Sequence, residues 1–137
     1  MTAYRPVRVQ RRRTAGWRTP LCGCGCGLPA RYVGRGTRWG NPYKAVKYQS
    51  RWAVINLNWA PSDALEIADS HLMANLIAVN MFRERFTDDL LEQAEAKIEL
   101  GGHDLMCWCS PNLPCHADVL LHAANHQLKL AASRRSA

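Results

Sequence analysis

A chain of 137 residues, 47% of them hydrophobic, has the size and composition of one globular domain that buries its own core without covalent staples. Its net charge of +7 is split: residues 1–62 hold ten arginines, two lysines and no acid, whereas residues 63–137 hold six basic and all eleven acidic residues. The basic half predicts an anionic partner, phosphate on a small nucleotide-like molecule or on a nucleic acid, and membrane insertion is excluded, since no apolar run nears the roughly 18 residues of a span.

The N-terminus also lacks the apolar core of a signal peptide, so a cytoplasmic protein with reduced thiols is expected. Six cysteines there point to metal or reactivity before disulfides. Taken in order, Arg5 to Arg13 alternates Val7 and Val9 with Arg8 and Gln10, the period of a half-buried strand. Residues 14–30 are a glycine- and cysteine-rich loop containing Cys22-Gly-Cys24-Gly-Cys26-Gly. Either the glycines let three thiolates converge on one ion, or the segment is an inert insert; Cys-x-Cys-x-Cys is not a usual zinc spacing.

Tyr32 and Val33 begin a short strand that runs into a glycine-rich loop, Gly34 to Pro42. The loop matches neither the dinucleotide fingerprint nor the P-loop. It nevertheless offers backbone amides, forked donors at Arg35 and Arg38, and a stacking face at Trp39. The competing reading is a tight turn with Trp39 in the core. Lys44 to Ala60 fits a strand or a short helix equally, and Pro61 closes it.

Ser62 or Asp63 then caps a helix whose core stripe is Leu65, Ala68, Leu72, Leu76 and Val79. A second helix starts at Thr87 to Asp89, buries Leu91, Ala94 and Ile98, and stops at Gly101-Gly102. Leu105 to Cys109 reads as a buried strand with Cys107 and Cys109 on one face and Trp108 on the other. The last helix runs from about His116 to Leu130 with Ala117, Leu121, Ala124 and Leu128 inward, and residues 131–137 form a frayed tail. His122 and His126 share a helix face and read as surface residues.

Cys107, Cys109, Cys115 and His116 have the donor types and number of a zinc site, although neighbouring residues such as Cys115 and His116 seldom reach one ion. Alternatively Cys115, at the positive end of a helix, is a low-pKa nucleophile with His116 or Asp118 handling protons. The plain reading is that the cysteines are small buried hydrophobes.

Arg5-Pro-Val-Arg-Val-Gln-Arg-Arg-Arg13, Tyr32-Val-Gly-Arg35 with Thr37-Arg-Trp-Gly-Asn-Pro42, and Leu105 to Leu121 with its Cys-x-Cys and Pro-Cys-His-x-Asp together resemble the DUF4326 family, a domain of unknown function in bacteria and their phages. The resemblance implies one shared site. Its ligand side would be Arg8, Gly34, Arg35, Trp39 and Asn41, to which the reading of the glycine-rich loop adds Thr37, Arg38 and Gly40 as candidate ligand-binding residues. Its reacting or metal side would be Cys107, Cys109, Cys115, His116 and Asp118. The chain departs from the family pattern at Cys22 to Gly27 and at Gly36.

The expected fold is a small single α/β domain, 1–137, with a sheet of three to five strands covered by helices and a site at the strands' carboxyl ends. Three functions follow as expectations: binding or processing of a nucleotide, nucleobase or derived small molecule; nucleic-acid binding with a structural zinc; or, for a phage protein in the host cytoplasm, blocking a host component.

Overall fold

The computed structural model describes residues 4–58 and 64–126. Its first sheet is parallel and is built from segments far apart in sequence: β1 (Arg8–Gln10), β2 (Arg31–Tyr32) and β6 (Leu105–Cys107), in the order β1-β6-β2. Arg8 and Arg31 both pair with Leu105, and Val9 and Tyr32 both pair with Met106. All three residues of the central β6 are buried, which is why it reads as an unbroken apolar run rather than an alternation. Because the strands are parallel and in register, the segments after Gln10, Tyr32 and Cys107 emerge at the same edge.

The second sheet is an antiparallel meander of β3 (Tyr43–Tyr48), β4 (Arg51–Asn56) and β5 (Glu66–Ala68). The ambiguity over Lys44 to Ala60 is thereby resolved as a hairpin. Its two-residue turn at Gln49-Ser50 uses a left-handed Gln49, with φ 55°, as tight hairpins require. The helices are α1 (His71–Thr87), α2 (Leu90–Leu100) and α3 (His116–Asn125). One core joins the parallel sheet to all three helices through Val33, Val79, Phe82, Phe86, Ala96, Leu100, Leu105 and Leu120. A smaller one, Val54, Ala68, Ala74 and Ala78, joins the meander to α1. The α/β class is therefore observed, with its strands divided between two three-stranded sheets.

The helix boundaries and faces require correction. The expected helix start at Ser62 or Asp63 and Pro61 lie outside the described residues, as do Leu128, Leu130 and the 131–137 tail. Instead Glu66 to Ala68 form β5, and α1 starts at His71, where the Ser70 side chain accepts from the Met73 amide at 3.1 Å. Of the expected stripe, Leu65, Leu72 and Leu76 are exposed and the buried Ala68 belongs to β5, while Val79 faces inward as expected, joined by Ala74, Ala78, Phe82 and Phe86.

Helix α2 is also turned from its expected orientation, with Leu91 and Ile98 70% and 83% exposed while Gln93, Ala96 and Leu100 are buried. Gln93 is inside for a reason. Its Nε2 donates to the carbonyls of Phe86 and Thr87 at the end of α1, where the last carbonyls lack intrahelical partners; Phe86 also accepts from the Asp89 amide. In α3, Ala117 and Ala124 are inward as expected, joined by Leu120, while Leu121 is half-buried.

Candidate metal centre and cleft

At the carboxyl edge of the parallel sheet, β2 passes into Val33-Gly34-Arg35 and β6 into Trp108-Cys109. Pro114 then precedes Cys115, which occupies the N-cap position of α3 without a side-chain capping bond. The chain thus delivers Cys107 from the end of a strand and Cys115 and His116 from the start of a helix. Their ligand atoms all lie within 4.8 Å of one another. Cys109, half-buried, has its Sγ 3.8 Å from that of Cys107 but is not part of that closest group.

The imidazole of His116 is oriented for ligation. Its Nε2 lies 2.7 Å from the Val33 carbonyl, an acceptor only, so Nε2 carries the hydrogen and donates. That leaves the Nδ1 lone pair facing the Cys115 Sγ, 3.8 Å away. A histidine held by its second nitrogen on a backbone carbonyl is the usual support of a metal-ligating imidazole. Phe82, edge-on at 5.3 Å between ring centroids, fixes the ring from the core side. Burial pushes the His116 pKa down and keeps the ring neutral.

Among the thiols, the Cys107 pKa is pushed down by hydrogen bonds with Cys109 and then Cys115. Cys115 is pushed up by Cys107, by Cys109 and by burial. Cys109 is raised, chiefly by Cys107. Cys115, read from the sequence as a low-pKa nucleophile, is 1% exposed, and burial and its two thiol neighbours act against a lowered pKa.

The two halves of the expected site do meet, but with fewer members. A cleft of about 280 Å³ is lined by Gly34, Arg35 and Asn41 from the loop and by Cys107, Cys109, Cys115 and His116. Trp39 is not a stacking platform: it is 6% exposed in the core, and Arg38 covers it at 4.4 Å. Arg38 itself is ion-paired with Glu92, Glu95 and Glu99 of α2, so it is not positioned for a ligand.

Arg8 is likewise engaged. Its Nη2 donates to the carbonyls of Ser110, Pro111 and Leu113 at 3.1, 2.8 and 3.0 Å, clamping the loop between Cys109 and Cys115. Its Nη1 meets Asp118 at 3.3 Å, which assigns Asp118 to that clamp rather than to proton transfer with Cys115. Thr37 donates to the Gly34 carbonyl at 2.8 Å, and Asn41 bridges the Ala78 carbonyl and the Tyr43 amide. A Cβ at Gly40 would sit 2.9 Å from the Gly34 oxygen, so the loop's two limbs close only with glycine there.

Lys44, His71 and Asn75, contributed by β3 and α1, also line the cleft and have no counterpart in the sequence reading. Their only sequence signal is the i, i+4 spacing of His71 and Asn75, which are 3.3 Å apart. A second group, Cys22, Cys24, Cys26 and His103, lies at the opposite end of β6. The Cys22 to Cys26 thiols do not join the Cys107 to His116 group. Both groups have the donors to hold a metal ion such as zinc. His122 and His126 stack at 4.1 Å and belong to neither.

Among the described residues, no helix is long and apolar enough to cross a membrane. No curated protein and no solved structure matches the chain. The model of DUF4326, described as a domain of unknown function, matches residues 9–126, a span that contains the cleft and both Cys/His groups, and the chain belongs to that family.

Proposed function

We propose that the protein binds, and through a metal ion acts on, a small anion of the nucleotide class held in the cleft above Cys107, Cys115 and His116. The observation that carries this reading is the cleft's lining: Arg35 and Lys44 stand over the three donors, and no acidic residue is present. Three protein ligands in a cleft match the donor count of zinc centres that leave a position for substrate, whereas structural sites use four. With zinc there, the ion would supply Lewis acidity. Arg35, on the cleft wall, would take the anion.

A second reading, nucleic-acid binding, is favoured by one separate observation. Arg11 and Arg13 flank the Trp108 ring at 5.0 and 4.7 Å, and Arg12 is exposed between them. Titration of zinc-loaded protein with mononucleotides and with a single-stranded oligonucleotide, at low and moderate salt, separates the two. The cleft reading expects saturable mononucleotide binding that R35A weakens about tenfold, equivalent to about 1.4 kcal/mol. Binding of the oligonucleotide alone, falling steeply with salt and lost on replacing Arg11 to Arg13, would establish the other.

A further inference from the structure

We infer that Cys22, Cys24, Cys26 and His103 form a closed, structural zinc site that ties the 14–30 loop to the start of β6, separate in place and role from the cleft. The Nδ1 of His103 lies 3.8, 3.7 and 3.9 Å from the Sγ atoms of Cys22, Cys24 and Cys26. In a tetrahedral zinc site with Zn–S of about 2.3 Å and Zn–N of about 2.05 Å, each S···N edge is about 3.6 Å. The four donors already stand close to the edges of such a tetrahedron. All four coordination positions are supplied by protein, which is the composition of a structural centre rather than a reactive one.

The spacing that argued against zinc is made workable by the glycines. Gly25, between Cys24 and Cys26, and Gly27, just after Cys26, have φ of 88° and 80°, conformations that L side chains rarely adopt, so the chain turns tightly on both sides of Cys26. The loop is then pinned from outside. The Asp104 amide donates to the Cys22 sulfur at 3.2 Å, and the Asp104 carboxylate accepts from the Gly23 amide at 2.9 Å. Backbone donation to a ligating sulfur and an anchored ligand loop are the outer support that metal sites use.

Charge also balances. Three thiolates and one Zn²⁺ sum to −1, and Arg31, whose Nη1 is fixed on the Glu99 carbonyl at 2.7 Å, brings one guanidinium to the ring. Its Nη2 lies 3.4 Å from His103 Nε2. Ligation through Nδ1 puts the ring hydrogen on Nε2, so this long contact opens while the guanidinium stays as counter-charge. The two sites are about 13 Å apart along the chain, the rise of four strand residues from His103 to Cys107.

The test uses the full chain purified without chelator. Zinc content is measured for the wild type, C24S, H103A and C115S. C24S and H103A should each lose one zinc per chain relative to the wild type, while C115S keeps that zinc whatever becomes of the cleft metal. Since a variant can fail to fold, the wild type is also alkylated and the labelled cysteines are mapped. Cys22, Cys24 and Cys26 should be protected together in the zinc-loaded protein and become reactive together after chelation.

Unchanged zinc content in C24S and H103A would overturn the site. So would immediate labelling of the exposed Cys26 in zinc-loaded protein. Loss of the only zinc in C115S, with C24S and H103A unaffected, would leave the cleft centre standing and remove this one.

Discussion

Asp104 is the residue on which the basal end of the parallel sheet closes. One carboxylate accepts from the Tyr4 hydroxyl at 2.7 Å, the Val7 amide at 3.0 Å and the Gly23 amide at 2.9 Å, while the residue is 4% exposed. Desolvation is the largest single influence and opposes ionisation, but the Gly23 and Val7 amides and Tyr4 together outweigh it and hold the pKa down. D104A strands three donors, and at roughly 1 kcal/mol for each lost bond the chain should lose about 2 to 4 kcal/mol in denaturant unfolding. D104N, which keeps one acceptor oxygen, should lose about half as much. A loss below about 0.5 kcal/mol in D104A would mean the three bonds contribute little net stability.

Arg8 shows why side-chain roles were harder to read than the positions of the motifs. The residue belongs to a motif, but its partners, the carbonyls of Ser110, Pro111 and Leu113, are more than 100 residues away and have no side-chain identity to signal them. An arginine that clamps carbonyls and one that binds phosphate look alike in sequence. As a clamp, Arg8 positions the loop that presents Cys115 and His116. R8A should weaken zinc binding at the cleft by about tenfold, within the range for outer-shell partners of a metal site. Zinc held by His103 should be unaffected, and an equal loss at both sites would indicate general destabilisation instead.

At the scale of elements, periodicity located α2 and α3 but chose the wrong face of α2. Leu91, Ala94 and Ile98 have the spacing of a core stripe, and so do Gln93, Ala96 and Leu100; the packing partner decides between them. Here Gln93 donates to the carbonyls of Phe86 and Thr87 at the end of α1, and Ala96 and Leu100 belong to the core shared with the other two helices. The measurable consequence runs against hydrophobicity. I98K should change stability by less than about 0.5 kcal/mol, because the side chain is 83% exposed. A96L, at 0% exposure, should cost about 1 to 3 kcal/mol through overpacking. Thermal melts of the two variants check the orientation directly, and the reverse order would restore the Leu91 and Ile98 face.

Across the whole molecule, the charge split between the chain's halves is partly a folding signal. Arg38 pairs with Glu92, Glu95 and Glu99, Arg51 with Asp69 and Arg8 with Asp118, so basic residues of the first half meet acids of the second across the fold. Those pairs account for part of the first half's basic charge, while Arg35 and Lys44 line the cleft. The same interleaving puts one Cys/His group at each end of β6, the central strand between β1 and β2. Neither group draws a donor from the β3, β4 and β5 meander, whose small core is closed by α1. Removing metal should therefore act locally. Hydrogen exchange after chelation should speed up in residues 14–30 and 108–116, while Ala53 to Ile55, each no more than 8% exposed in β4, keep their protection. Faster exchange spread evenly over both sheets would show instead that the metal sites hold the whole fold together, and no change in 14–30 would detach the Cys22 group from metal altogether.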